Sequence, residues 1–417
     1  VELGYDSDGF ARGRELVAEL STQNVLDDLA AAYDLLEQRG LMVAIVGYCW
    51  GGAVVWTAAS HMTSLACAVS YYGSRIVNLV DQQPKVPLMM HVGDHDASLP
   101  IAKVREAAGI PGTSVRTAFL CRDKPAMKEV LRAGGVPCAQ STGASTAAEV
   151  HAFAEQVGYP LILKPRDGAG ASGAVRVDDD AELAAAVASF GGARSIAVEE
   201  FIEGHEGFYD TLSIGGTPAH DFATHYYPNV LEAMRTRWIS PQFISTNRID
   251  SAPAYAEVRA LGAKVIQLLG IETSATHMEW FFGPKGLKFS EIGCRPPGVR
   301  AWDLYNVGND MDLYREWAFA VCAGRTSQAA SRRYAAGIIA LRPECDGHIV
   351  GYDGVDAIRR AFGGNLIDMH LPPAGTPTQP VAAGYMANAW IRMKHENYDE
   401  LRRMLDIVGQ TVKVRAR

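Results

Sequence analysis

Thr276-His-Met-Glu-Trp-Phe-Phe-Gly-Pro-Lys-Gly-Leu-Lys-Phe-Ser-Glu-Ile-Gly-Cys-Arg-Pro-Pro-Gly298 is the stretch on which the reading of this chain turns. Two short apolar runs, each carrying one carboxylate, flank a Gly-Pro-Lys-Gly turn, and this pattern predicts a β-hairpin. With Glu279 and Glu291 on one face, the hairpin makes a hard-oxygen site suited to Mg²⁺ bridging nucleotide phosphates. Arg295, four residues beyond the second glutamate, offers a planar cation to a transferring phosphoryl group. Two surface carboxylates on a plain hairpin would read the same way, so the neighbouring signals decide.

The 417 residues are 48% hydrophobic and 21% charged, with a net charge of -8, as in a soluble protein of two or three domains. No basic stripe or aromatic-basic interleaving is present, which argues against a nucleic-acid partner. No apolar run reaches bilayer length. No signal peptide is seen, so a cytoplasmic protein is expected, with room for a homo-oligomer. The opening Val1-Glu-Leu-Gly-Tyr-Asp reads as the middle of a protein. Seven scattered cysteines with no C-x-x-C spacing support neither a zinc site nor a disulfide framework.

Residues 11–39 have helical apolar spacing. Leu41–Val46, Ala66–Tyr72 and Val86–Val92 read as strands of a parallel α/β pattern. From about residue 105 the character changes. Asp123 is a candidate N-cap for a helix beginning at Lys124. Lys164 ends a buried strand and precedes the glycine-rich Arg166-Asp-Gly-Ala-Gly-Ala-Ser-Gly173, where backbone N–H groups can approach a triphosphate and the lysine supplies charge. Glu199-Glu-Phe-Ile-Glu-Gly-His-Glu206 follows a strand and can receive an adenine amino group and ribose hydroxyls. Helices are expected over about 253–269 and 309–324, and Ser327–Arg333 reads as a linker.

In this order and at these distances, the motifs resemble the ATP-grasp superfamily of carboxylate–amine ligases over about 105–325. Gly109-Ile-Pro-Gly112 and Arg122-Asp-Lys124 resemble that family's lead-in. The resemblance implies ATP held between two α+β lobes, with Lys124, Lys164 and the loop residues Gly170, Ser172 and Gly173 on its phosphates. It implies further that Glu200 and Ile202 face adenine, Glu206 faces ribose, and Glu279 and Glu291 ligate Mg²⁺, with Mn²⁺ as an alternative. Arg295 would be the catalytic cation. The implied reaction activates a small-molecule carboxylic acid as an acylphosphate, which an amine acceptor captures. Where the family commonly has Asn two residues after the second Glu, this chain has Gly293. Arg248 lies where such enzymes contact substrate and is able to clamp a carboxylate. Residues 326–417 resemble the small α+β C-terminal region of ATP-grasp amino-acid ligases, which favours an amino acid or similar acid.

Gly47-Tyr-Cys-Trp-Gly-Gly52, between a strand and a helix, has the form of a nucleophile elbow with Cys49 at its apex. With Asp96 as a triad acid, residues 10–100 resemble part of the dienelactone hydrolase family, an α/β-hydrolase branch. The histidine that would complete the triad has no matching context. The expected organisation is therefore a hydrolase-like α/β segment over 1–104, an ATP-grasp domain over 105–325 and an α+β region over 326–417. The hydrolase segment stands where a Rossmann-like lobe usually does; a replacement of that lobe and a truncated fusion both fit. Two other functions remain on the sequence: a cysteine hydrolase of lactones or esters, and a catalytically silent nucleotide-binding module.

Overall fold

The computed structural model describes the chain except for residues 1–6, 92–103, 107, 108, 110, 167–172, 191–194, 238 and 382–387, and except for the side chains of 7–11, 14, 74 and 91. It divides into two compact units, Val1–Val115 and Arg116–Arg417.

The first unit contains the expected parallel sheet, in the order β1 (Ala44–Tyr48), β2 (Cys67–Tyr71), β3 (Leu88–His91). The helix Trp50–His61 covers one face and buries Trp56 completely, with its indole donating to Leu79 O at 3.0 Å. Val46, Tyr48 and Met89 remain exposed. The single helical stretch expected over 11–39 is two helices, Ser7–Glu19 and Thr22–Glu37. Ser21 separates them: its hydroxyl accepts from Asn24 N and caps the second helix.

The second unit holds two antiparallel sheets. A four-stranded one runs β4 (Ser141–Ala144), β7 (Ile196–Glu200), β5 (Leu161–Pro165), β6 (Val175–Val177). Helices Ala147–Val157 and Asp180–Ser189 contribute Val150, Phe153, Leu183 and Ala186 to its core. A capping box between Thr146 and Glu149 starts the first of them, and Asp179 caps the second.

The larger sheet begins β12 (Gly286–Gly293), β11 (Ser274–Gly283), β8 (His205–Ile214), β9 (Thr217–Tyr227), β10 (Gln242–Ser245) and continues through β13 (Ala335–Leu341), β16 (Ala389–His395) and β15 (Leu366–His370). One face packs Phe208, Phe222 and Phe243 against Trp302, Tyr305 and Leu313. The other packs Tyr209, Met278 and Trp280 against the helix Tyr255–Leu269 and the helix Lys124–Ala133. Met127 and Leu131, both fully buried, anchor that last helix, each contributing roughly 1.5–3 kcal/mol. Its rotation is thereby set, and Lys124 and Lys128 are buried on the same face. The helix expected over 309–324 is Leu313–Ala323, capped by Asp312, and a further helix, Ala301–Asn309, precedes it. The last eighty or so residues extend the same sheet, with helix Tyr398–Thr411 packed on β13 and β16 and a small ladder between β14 (Ile349–Asp353) and β17 (Lys413–Ala416).

Candidate active site

The hairpin read from the sequence is β11–β12. Its register sets Glu279 directly opposite Glu291, with an irregularity immediately after Glu279. On the other side of β11, Glu206 of β8 pairs with Phe281, two residues along from Glu279. Because strand side chains alternate, Glu206, Glu279 and Glu291 share one face. They help to line a cavity of about 440 Å³, together with Lys124, Lys128 and Lys164. That volume is in the range of small-ligand sites.

Opposite charges meet across this cavity. Glu291 Oε2 lies 3.4 Å from Lys124 Nζ and 3.9 Å from Lys164 Nζ. Lys164 also reaches Glu199 at 2.9 Å, and Glu199 in turn holds Lys128 at 2.7 Å. Burial pushes the Glu199 carboxyl up, but the two ammonium groups overcome it and hold the acid down at about 2. Burial likewise pulls the Lys128 amine below the usual lysine range, against the attraction of Glu199.

The carboxylates on the hairpin side are less well compensated. Burial, and next the charge of Glu279, push Glu206 up to about 8, although its Oε2 accepts from Val230 N at 2.6 Å. Burial opposes ionisation of Glu279 as well, yet His277 holds that carboxyl low. His277 stands with Nε2 3.7 Å from Glu279 and Nδ1 2.7 Å from the buried Asp210, which also accepts from Tyr305 OH. These two acids raise His277 to about 9 despite its burial. Crowded carboxylates of this kind fit a hard divalent cation. Among the described residues no three His, Cys, Asp or Glu side chains form a complete cage, so Glu279 and Glu291 would supply two ligands and phosphate or water the remainder.

The other expected site residues fall as follows. Ile202 lines the cavity; Glu200 does too, but its side chain is held by Lys285 and by Gln140 N. Arg295 follows the end of β12, donates to Pro296 O at 2.9 Å, and adds to the positive field on Glu279 without lining the cavity. Gly173 has φ +70°, which favours glycine, while Gly170 and Ser172 lie outside the described residues. Arg248 is not brought to this cavity. It lines a separate depression of about 620 Å³ that shares no lining residue with the first, stacked 4.4 Å from the Tyr398 ring and paired with Asp399 at 3.1 Å. Sequence reading missed Lys128, whose signal was its position four residues after Lys124 on one helix face, and the Asp210–His277 pair.

In the first unit, Cys49 adopts φ 54°, ψ −118° at the start of the helix Trp50–His61, and its N–H is bonded to Tyr71 O. The turn is tight: a Cβ on Gly47 would meet Gly51 O at 2.1 Å, and one on Gly52 would meet Tyr71 O at 2.8 Å. The thiol is exposed. Among the described residues no histidine is hydrogen-bonded to it, and Asp96 lies outside them.

Three lysines and several carboxylates of an α+β fold converge on one cavity, an arrangement of the class suited to binding a phosphorylated ligand. More particularly, residues 129–303 match the model of the ATP-grasp domain, and residues 3–109 match that of the dienelactone hydrolase family. An uncharacterized protein of Sinorhizobium fredii is 25% identical over 288 residues, covering 66% of this chain and 57% of that one. An L-arginine-specific L-amino acid ligase of Bacillus subtilis is 29% identical over 203 residues, covering 47% and 48%. The chain thus spans about half the length of these curated relatives. The crystal structure of an L-amino acid ligase from Bacillus licheniformis shares the fold, with a TM-score of 0.65 at 17% identity over 90% of this chain and 99% of that one. No helix among the described residues is long and apolar enough to cross a membrane.

Proposed function

We propose that this chain is an ATP- and Mg²⁺-dependent carboxylate–amine ligase that forms an acylphosphate on an amino acid or similar acid. The observation that carries the reading is the convergence of Lys124 and Lys164 on Glu291, with Glu279 opposite it in the hairpin. Phosphoryl transfer requires positioning and charge neutralisation more than a protein nucleophile, and this set supplies both.

In the proposed reaction the acid's carboxylate oxygen attacks the γ-phosphorus and ADP leaves. The acceptor amine then attacks the acyl carbon, phosphate leaves, and the nitrogen loses a proton. Lys124 and Lys164 hold the phosphates, Ile202 packs on the base, Glu206 and Glu200 meet ribose and adenine, and Arg295 neutralises charge on the phosphoryl group. Glu279 and Glu291 would hold Mg²⁺, whose chemistry there would be to withdraw charge from the phosphates.

The test is calorimetric titration of a non-hydrolysable ATP analogue with and without Mg²⁺. Mg²⁺-dependent binding that weakens by at least about tenfold in Lys164→Ala, roughly 1.4 kcal/mol, is expected. ADP and phosphate should then appear only when both an acid and an amine are present. Absence of analogue binding would remove the ligase reading and leave the Cys49 hydrolase, assayed with p-nitrophenyl esters, as the next candidate.

A further inference from the structure

The two lysines that meet at Glu291 come from segments forty residues apart, and an ion pair ties those segments together, one residue before Lys124 and two after Lys164. Arg166, two residues after Lys164, donates from Nε to Asp123 Oδ2 and from Nη2 to Asp123 Oδ1, both at 2.9 Å. Asp123 immediately precedes Lys124 and caps its helix by accepting from Ala126 N at 3.0 Å. The backbone is joined at the same point, with Lys124 N donating to Arg166 O at 3.2 Å. The third arm of the guanidinium donates from Nη1 to Ser195 Oγ at 2.9 Å, just before β7. Gly143 of β4 makes room for it: a Cβ there would stand 2.6 Å from Nη1.

We infer that Arg166 and Asp123 are positioning residues of the nucleotide site, a bidentate clip that fixes the spacing of Lys124 and Lys164 before phosphate arrives. The inference rests on the proposed nucleotide role of those lysines. Fork-to-fork pairing has both energy and fixed geometry, which a lysine in place of Arg166 would lack. The ion pair is well sheltered, with Asp123 15% and Arg166 33% exposed. With Lys124 N bonded to Arg166 O beside the ion pair, the two backbones are tied together and each lysine has only its own side-chain torsions to search. Such pre-organisation is where a small displacement costs much in phosphate contact. Arg166 also opens the glycine-rich stretch 166–173, so the clip fixes where that stretch begins.

The experiment is a double-mutant cycle on Asp123→Asn and Arg166→Gln, with Arg166→Lys as a further variant. Asn is itself a good N-cap, so the helix start is kept. The readout is the dissociation constant of the Mg²⁺–ATP analogue, taken well below each variant's own thermal midpoint. Each single change is expected to weaken binding roughly tenfold, in the range of coupled neighbours, and the double to be within about twofold of either single. Arg166→Lys should recover only part of the loss. Unchanged affinity in folded variants, or losses that simply multiply in the double, would overturn the clip, since a purely structural pair would shift the midpoint alone. A wild-type chain that does not bind the analogue would overturn the nucleotide reading and the clip with it, and that outcome is recognisable before any variant is made.

Discussion

The elbow of the first unit and the cleft of the second each begin from a local motif, and they end differently. At Cys49 the backbone does everything a nucleophile elbow requires: a left-handed φ, glycines pressed together beneath it, and a helix starting behind it. The side chain, however, is an exposed thiol that no histidine among the described residues touches. In the cleft the backbone is ordinary β-strand and helix, but Lys124, Lys128, Lys164, Glu199 and Glu291 are joined by ion pairs, and the carboxyls of Glu199 and Glu206 are held away from their ordinary range. A strained turn alone marks a position for a reactive group, whereas several perturbed groups gathered in one cavity make the stronger candidate site.

The sharpest way to break this contrast is Glu291→Gln. Turnover of an acid and an amine should fall by roughly 10²–10³-fold, the size of a lost transition-state charge contact, and retained activity would refute the site. Nearly as large an effect is expected on stability from Glu199→Ala. It strands the fully buried Lys128 without its partner and should cost about 3 kcal/mol or more by urea unfolding. Acid should reproduce part of this loss. Glu199 is held at about 2 against an ordinary 4.5, so its stabilisation is complete above about pH 4.5 and disappears as pH falls towards 2. In Glu199→Gln the unfolding midpoint should lose that portion of its acid dependence.

Smaller effects refine the comparison. A Cβ at Gly293 would meet Arg295 Cγ at 3.4 Å, an ordinary contact, so the first atom of the side chain in Gly293→Asn meets no clash. If an added amide oxygen reaches the metal, apparent Mg²⁺ affinity with the analogue bound should rise by roughly tenfold, about 1.4 kcal/mol. Cys49→Ala should change analogue affinity by less than about twofold, within the spread of surface substitutions. A larger change would show that the elbow and the cleft act together.

The hairpin, the strand ending at Lys164 and the helix capped by Asp123 were readable because each is a local pattern: two apolar runs around a turn, a lysine at a strand end, an Asp before helical spacing. The long strands β8 and β9 at the centre of the sheet were not readable. His205, Glu206, Asp210, Thr211, His220, Asp221 and Thr224 interrupt their apolar alternation, and most are buried polar residues. What makes them tolerable comes from far along the chain. Asp221 is paired with Arg259 and Arg332, and Asp210 with His277 and Tyr305. Glu200 and Arg248 show the same limit at the site. Residue type suited each to a ligand, while the partners actually met, Lys285 for one and Asp399 with Tyr398 for the other, belong to segments that no local pattern connects to them.

The contact of Glu291 with Lys124 and Lys164, the lysines proposed to hold phosphate, gives the cleft the character of an ion exchanger. Those two lysines are already paired with Glu291, so a nucleotide that entered alone would have to displace Glu291 and leave it stranded beside Glu279. A nucleotide that arrives with its metal can swap partners, the lysines passing to phosphate as the glutamates pass to the cation. Charge is nearly conserved in that swap. Binding of the metal complex should therefore respond only weakly to added salt, while binding of the bare nucleotide should be both poor and strongly salt-dependent.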